Sequence, residues 1–241
     1  MIRKYRNLLL FLSLLFFSIT FMYMSPVLAI MGITQGIIAS GLIFWLMMFV
    51  LSFFIGRFYC GYLCPMGGIQ FCVDACLHKP RINIKYLKIV KFLFWLFWVG
   101  MVIFFSLKFA RDLKVNLFFA NPTKLPPYSQ QSYSIYFGII FSVTIMAIIL
   151  GKRGMCYYFC PFSVFFMIAN KIRNFIKLPS LYLSKTENKC VKCKACNRAC
   201  PMSLDVMQMV ADNNFENSEC ILCGSCIDAC KSKVLKYSLK K

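Results

Sequence analysis

GRFYCGYLCP, residues 56–65, stands where fifty residues without a charged side chain meet their first arginine, and it carries two cysteines four positions apart with a proline behind them. Residues 7–56 contain no Asp, Glu, Lys or Arg, which is room for two bilayer crossings of roughly 20 residues each. Pro26 and the glycines at 32 and 36 mark the expected turn between them. A third span is expected over residues 89–109, with Lys91 and Lys108 near its ends, where long side chains can snorkel to the interface. A fourth is expected over 133–150.

A second copy follows the second pair of spans. CYYFCP begins at Cys156, 96 positions after Cys60, and like the first copy it has glycine and a basic residue before it and an apolar run behind. The membrane half therefore reads as a duplicated two-span unit, with parallel repeats related by an axis along the membrane normal. Such packing brings Cys60, Cys64, Cys156 and Cys160 together near one face of the membrane. Side chains four apart share a helix face, so each C-x3-C pair offers two sulfurs to one partner. The quartet is a candidate site for a further metal or cluster, or for redox-active thiols beside the quinone pool. The plainer reading is that these are small buried side chains, as free cysteine often is. Cys72 and Cys76 repeat the spacing without a counterpart in the second half.

Composition narrows the function classes. A chain of 241 residues that is 60% hydrophobic, with a mean hydropathy of +0.68, has too little polar surface for an ordinary soluble domain. Its net charge of +20 is not that of a nucleic-acid binder, because the basic residues flank apolar spans and face lipid headgroups. With the N-terminus in the cytoplasm, fifteen Lys and Arg of the membrane half fall on that side against four on the other, a positive-inside pattern. Both termini and all cysteines are then cytoplasmic, where thiols stay reduced. The N-terminus has signal-peptide features, but its apolar run over residues 8–31 exceeds the roughly 7–15 residues of a signal core, so an uncleaved span is expected.

From about Glu187 the composition turns polar, and six of the eight acidic residues lie from there on. Cys190, Cys193, Cys196 and Cys200 are spaced by two, two and three residues, and Cys220, Cys223, Cys226 and Cys230 repeat the rhythm. In such runs three thiolates wrap one [4Fe-4S] cube and the fourth serves its neighbour. That rule assigns Cys190, Cys193, Cys196 and Cys230 to one cluster, and Cys220, Cys223, Cys226 and Cys200 to the other. Zinc would call for paired C-x2-C units. The second run ends in Lys231 where the first has Pro201, a departure that touches the local turn and spares the ligands.

Four spans, a C-x3-C-P after each pair and a two-cluster ferredoxin tail together resemble the NapH/MauN family of membrane iron-sulfur proteins, with relatives in the NosR and CcoG groups. The resemblance implies a quinol dehydrogenase-like subunit that passes electrons between the membrane quinone pool and partner redox proteins. The expected fold is an all-α polytopic membrane domain over residues 1–161, an interfacial amphipathic helix and linker over 162–186, and a small α+β ferredoxin domain over 187–241 in the cytoplasm. Expected cofactors are two [4Fe-4S] clusters, with a third cluster or metal and a quinone as further candidates. The rival is a metal-handling or maturation factor whose clusters reduce copper or thiols for another enzyme. In the helix after Pro161, Phe162, Phe165, Phe166, Ala169, Ile172 and Ile176 are expected to form the apolar face, opposite Asn170, Lys171, Arg173, Asn174 and Lys177. His78, the sole histidine, excludes bis-histidine haem within one chain. Arg57 and Arg153, just ahead of the cysteine pairs, are expected to offset thiolate charge or to anchor the membrane edge. The loop over 111–131 is the expected surface for an extracytoplasmic partner.

Overall fold

Apolar segments become helices because a backbone shielded from water must bond to itself, and this chain is mostly helical. The computed structural model describes residues 2–17, 20, 25–84, 86–109, 114–117 and 130–240. Most of the expected partner loop over 111–131 lies outside the described residues.

Helix α1 (Ile2–Leu15) precedes α2 (Pro26–Thr34). The Val27 N–H donates to the Ser25 hydroxyl at the start of α2, and Pro26 sits in the first turn, where its missing N–H costs nothing. The expected turn is therefore a short helix. Behind it β1 (Ile37–Ala39) pairs in parallel with β2 (Lys114–Asn116). Then come α3 (Ser40–Ile55), α4 (Phe58–Tyr62), α5 (Pro65–Leu77), α6 (Lys88–Lys108), α7 (Gln130–Leu150), α8 (Gly154–Tyr158) and α9 (Pro161–Ile176). Among the described residues α6 is long and apolar enough to cross a membrane, while Tyr5–Leu15, Ser40–Ile55 and Tyr136–Leu150 are shorter apolar stretches. Large apolar side chains stand exposed on each of the four, including Phe11, Val50, Phe97 and Phe141.

The backbone repeats. Helices α4 and α8 are both five residues long, and each is followed by a cysteine with extended backbone, Cys64 (ψ 117°) or Cys160 (ψ 112°), that caps a helix opening on proline. Both proline helices end on a left-handed residue, His78 in α5 and Lys177 in α9. The repeats exchange partners. Helix α5 of the first packs on α7 of the second, and α9 of the second packs on α3 of the first. That exchange folds the two C-x3-C-P turns toward each other.

Helix α9 departs from the expected surface position. It is packed against α3 and α6, with Phe162 stacked on Trp45 at 3.9 Å between ring centroids. Asn170 and Arg173 are buried, whereas Ile172 and Ile176 are exposed, so periodicity identified the helix but misassigned part of its buried face. The segment read as a linker is also structured. Strand β3 (Ser180–Lys185) runs antiparallel to β4 (Leu235–Lys240), with Ser180 opposite Lys240 and Lys185 opposite Leu235. Between these strands lie α10 (Ala195–Ala199), α11 (Val206–Ala211) and α12 (Ser225–Asp228).

Candidate iron-sulfur sites

In the tail, backbone conformation repeats every 30 residues. Lys192 and Leu222, Lys194 and Gly224, and Ser203 and Lys233 all have φ near +50° to +70°. Left-handed residues alternating with right-handed ones curl a chain into a concave loop lined by N–H groups, a shape that suits an anionic centre. The turns that close the two runs match as well. The Ser203 N–H donates to the Cys200 carbonyl and the Lys233 N–H to the Cys230 carbonyl, both at 3.1 Å, so the closing hydrogen bond is the same with Lys231 as with Pro201. Each fourth cysteine accepts a backbone N–H at its sulfur, Cys200 from Leu204 at 3.5 Å and Cys230 from Val234 at 3.4 Å.

Cys200, Cys220, Cys223 and Cys226 line one apolar cavity, together with Met202, Val206 and Ile221. Burial pushes the Cys220 thiol up to about 12 and raises Cys200 and Cys226 as well. Thiols held neutral in this way do not repel one another, and metal binding displaces their protons. The other set is more open. Cys190 and Cys193 are exposed and Cys196 and Cys230 half-buried, yet Cys196 lies close enough to Cys190 and Cys230 to feel their charge. Both sets fit iron-sulfur ligation in their all-thiol donors and shaped loops.

The duplicated pairs also converge. Cys60, Cys64, Cys156 and Cys160 line a single cavity of about 270 Å³, walled by Tyr59, Met155, Phe162 and Phe166. Burial pushes Cys160 up to about 12, with Cys156 and Cys60 as further causes. Cys72 and Cys76 do not join it; both are exposed on α5. His78 is an exposed helix cap. Among the described residues no group of three His, Cys, Asp or Glu could hold a single metal ion. Two of the thiol sets line cavities instead.

Several residues hold these sites, of which Gln70 and Glu219 were passed over in the sequence. Gln70, fully buried on α5, donates from Nε2 to the Cys156 sulfur at 2.9 Å, and its Oε1 accepts the Cys156 N–H. A lone glutamine in an apolar helix was the available signal. Arg153 donates to the Cys60 carbonyl across the repeats. Lys91 does not snorkel. It is fully buried and donates to Glu219 at 2.5 Å, and Arg57 donates to the same carboxylate at 2.9 Å and to the Ser218 carbonyl at 3.0 Å. Burial pushes the Glu219 carboxyl up, but Arg57 and Lys91 more than offset it and hold it below its ordinary value.

These cations dock the tail. Lys152 donates to the Arg198 and Cys200 carbonyls, Arg81 donates to the Met202 carbonyl at 2.6 Å while lying over the Tyr157 ring, and Arg6 donates to Ser225. At the centre of the contact is Gly61. A Cβ there would sit 2.5 Å from the Ile221 carbonyl oxygen and 3.7 Å from Cys223. Gly61→Ala gains about 1 kcal/mol of helix propensity but forces two backbones apart at a cost of about 1–3 kcal/mol. The expected net result is a lower unfolding midpoint and faster proteolytic release of the tail after α9, both measurable on the full-length chain.

Comparison with known proteins places these features. The 4Fe-4S binding domain matches twice, at residues 37–85 and 133–179, each match spanning one C-x3-C-P unit, and the 4Fe-4S dicluster domain matches 182–231. An uncharacterized protein of Methanocaldococcus jannaschii is 27% identical over 202 residues, covering 78% of this chain and 75% of its own. The putative electron transport protein YccM of Escherichia coli is 21% identical, over 84% of this chain and 57% of its own. The ferredoxin-type protein NapH of Haemophilus influenzae is 21% identical, over 76% and 63% respectively. No solved structure matches. The chain is thus an iron-sulfur protein distantly related to NapH and YccM, in which a repeated 4Fe-4S binding domain leads into a ferredoxin-type dicluster tail.

Proposed function

We propose that this protein is a four-span carrier of the cytoplasmic membrane that moves electrons between the quinone pool and a partner redox protein. Exposed apolar side chains on α1, α3, α6 and α7 support the four spans, since a lipid-facing helix has no reason to bury them. Cys190, Cys193, Cys196 and Cys230 hold one [4Fe-4S] cluster and Cys220, Cys223, Cys226 and Cys200 a second. Cys60, Cys64, Cys156 and Cys160 hold a third. Each cluster, when bound, accepts and returns one electron without bond-making on a substrate. A quinol surrenders two electrons and two protons, so serving it one electron at a time takes more than one centre or more than one passage.

The observation that carries this reading is the packing of a segment that lines one thiol cavity on a loop that lines the other. Helix α4, which bears Cys60, rests through Gly61 on the Cys220–Cys226 loop with no side chain between them. The chain's own residues supply burial, exclusion of water and fixed positions, which a relay needs. No pocket outside the thiol cavities is required.

Iron and acid-labile sulfide per chain, measured with EPR on anaerobically purified protein, test the count. About twelve irons support three clusters, and about eight leave only the tail loaded. Rapid oxidation of the reduced clusters by a menaquinone analogue supports quinone chemistry. Indifference to quinone combined with stoichiometric Cu(II) reduction favours a metal-handling role and overturns the proposal.

A further inference from the structure

Arg57 lies between the two thiol sets. Its side chain is 1% exposed, and it lines both the large cavity of Cys60, Cys64, Cys156 and Cys160 and the small polar cavity that Cys220 borders with Asn170, Arg173 and Ser218. One edge of the guanidinium is used, because Nη1 donates to Ser218 and Glu219. Nε is buried without a hydrogen-bond partner. A buried cationic N–H left unpaired is costly, more so than a neutral one, and the cavity that Arg57 shares with the four thiols is where an anionic group could offset it.

Pairing with Glu219 does not cancel this charge. Glu219 also binds Lys91, so two buried cations share one carboxylate and an uncompensated positive charge remains. A clamp designed only to fasten the tail would be better balanced with a single cation, since unpaired buried charge is destabilising. The surplus has a use if the neighbouring centres are anionic and become more so on reduction.

We infer that Arg57 is a positioning residue and a shared cation that sets the reduction potentials of both the membrane-edge cluster and the tail cluster held by Cys220. The inference rests on the iron-sulfur reading above. An electron entering either centre adds negative charge with no bond made or broken and no proton required. Arginine keeps its charge throughout the working pH range, and in a site removed from water its field is weakly screened. The charge therefore favours the reduced state of both centres and draws their potentials upward together.

The test is an EPR-monitored redox titration of the full-length, anaerobically loaded protein, with iron counted on every sample. Arg57→Gln is expected to make reduction of the affected centres about tenfold less favourable, a downward shift of about 59 mV for a one-electron couple. Arg57→Lys keeps the charge and is expected to stay within about threefold of the parent, less than half of that shift. Glu219→Gln breaks the same ion pair yet removes a negative charge, so the potentials should move upward. A purely structural clamp predicts the same direction for Arg57→Gln and Glu219→Gln, or no shift at all, and either result overturns the inference. Should Arg57→Gln fail to fold, Arg57→Lys and Glu219→Gln decide it, an unshifted or lowered potential in Glu219→Gln being the refuting outcome. A count of about eight irons in the parent removes the membrane-edge cluster from the reading, while the potential of the tail cluster still tests Arg57.

Discussion

Cys226→Ser is expected to strip one cluster from the tail, about four irons per chain, and to loosen the tail from the N-terminal helices. Cys200, Cys223 and Cys226 are buried in the same core as Ile221, Met202 and Val206, and this core packs against Tyr157, Tyr158 and Cys60. A centre held by them would therefore be part of the interface and not an appendage to it. Without it, a cavity lined by neutral thiols replaces metal-thiolate bonds, and folding free energy supplied by the metal is lost. Cys193→Ser is the informative partner, because Cys193 is exposed where Cys226 is buried. It too should lose about four irons, with a much smaller fall in unfolding midpoint. Iron analysis with thermal unfolding of both variants separates the effects. Equal destabilisation would show that the buried cluster is no more structural than the exposed one, and undiminished iron in Cys226→Ser would refute its role as a ligand.

The parts legible in the sequence were those encoded locally. Two runs of C-x2-C-x2-C-x3-C specify tight loops whose geometry is set within a dozen residues, and the 30-residue repeat of left-handed positions follows the cysteine rhythm. The duplicated C-x3-C-P turns were legible for the same reason, since proline after each second cysteine starts a helix and fixes the exit from the turn. What escaped was set by distant partners. Lys91 looked like a snorkelling lysine because Glu219, 128 positions on, cannot be connected to it by any local pattern. Asn170 and Arg173 fell on the polar side of a helical period and were read as facing water; they face Gly56, Leu222 and the polar cavity beneath the tail. Ser180–Lys185 shows no period-2 alternation, its buried residues Ser180 and Leu183 being three apart, and a single short strand is unreadable without the Leu235–Lys240 segment it pairs with. Gln70 shows the same limit. Its amide is spent on Cys156, 86 residues away.

The second large effect concerns the duplicated C-x3-C-P pairs. In Cys60→Ser combined with Cys156→Ser, one thiol is removed from each repeat, so neither pair can grip a centre with two sulfurs. Iron should fall by about four per chain, the tail's EPR signals should persist, and reoxidation of the reduced tail clusters by a menaquinone analogue should slow to the rate seen without quinone. The tail is expected to survive because its own ligands and its docking through Arg81, Lys152 and Glu219 are untouched. Gln70→Leu offers a graded version. The outer-shell amide that orients Cys156 is lost while all four thiols remain, and such partners typically contribute 10–100-fold, roughly, to metal affinity. That variant should lose iron from the membrane-edge site during mild chelation while the tail retains its own. The alternative, in which the four cysteines are merely small packing groups, makes the opposite forecast for both proteins: serine is close in size to cysteine, so iron content and quinone-linked electron flow would be unchanged. Because burial, volume and helix geometry are nearly conserved in the double variant, an effect confined to iron and to electron flow would isolate sulfur ligation as the cause.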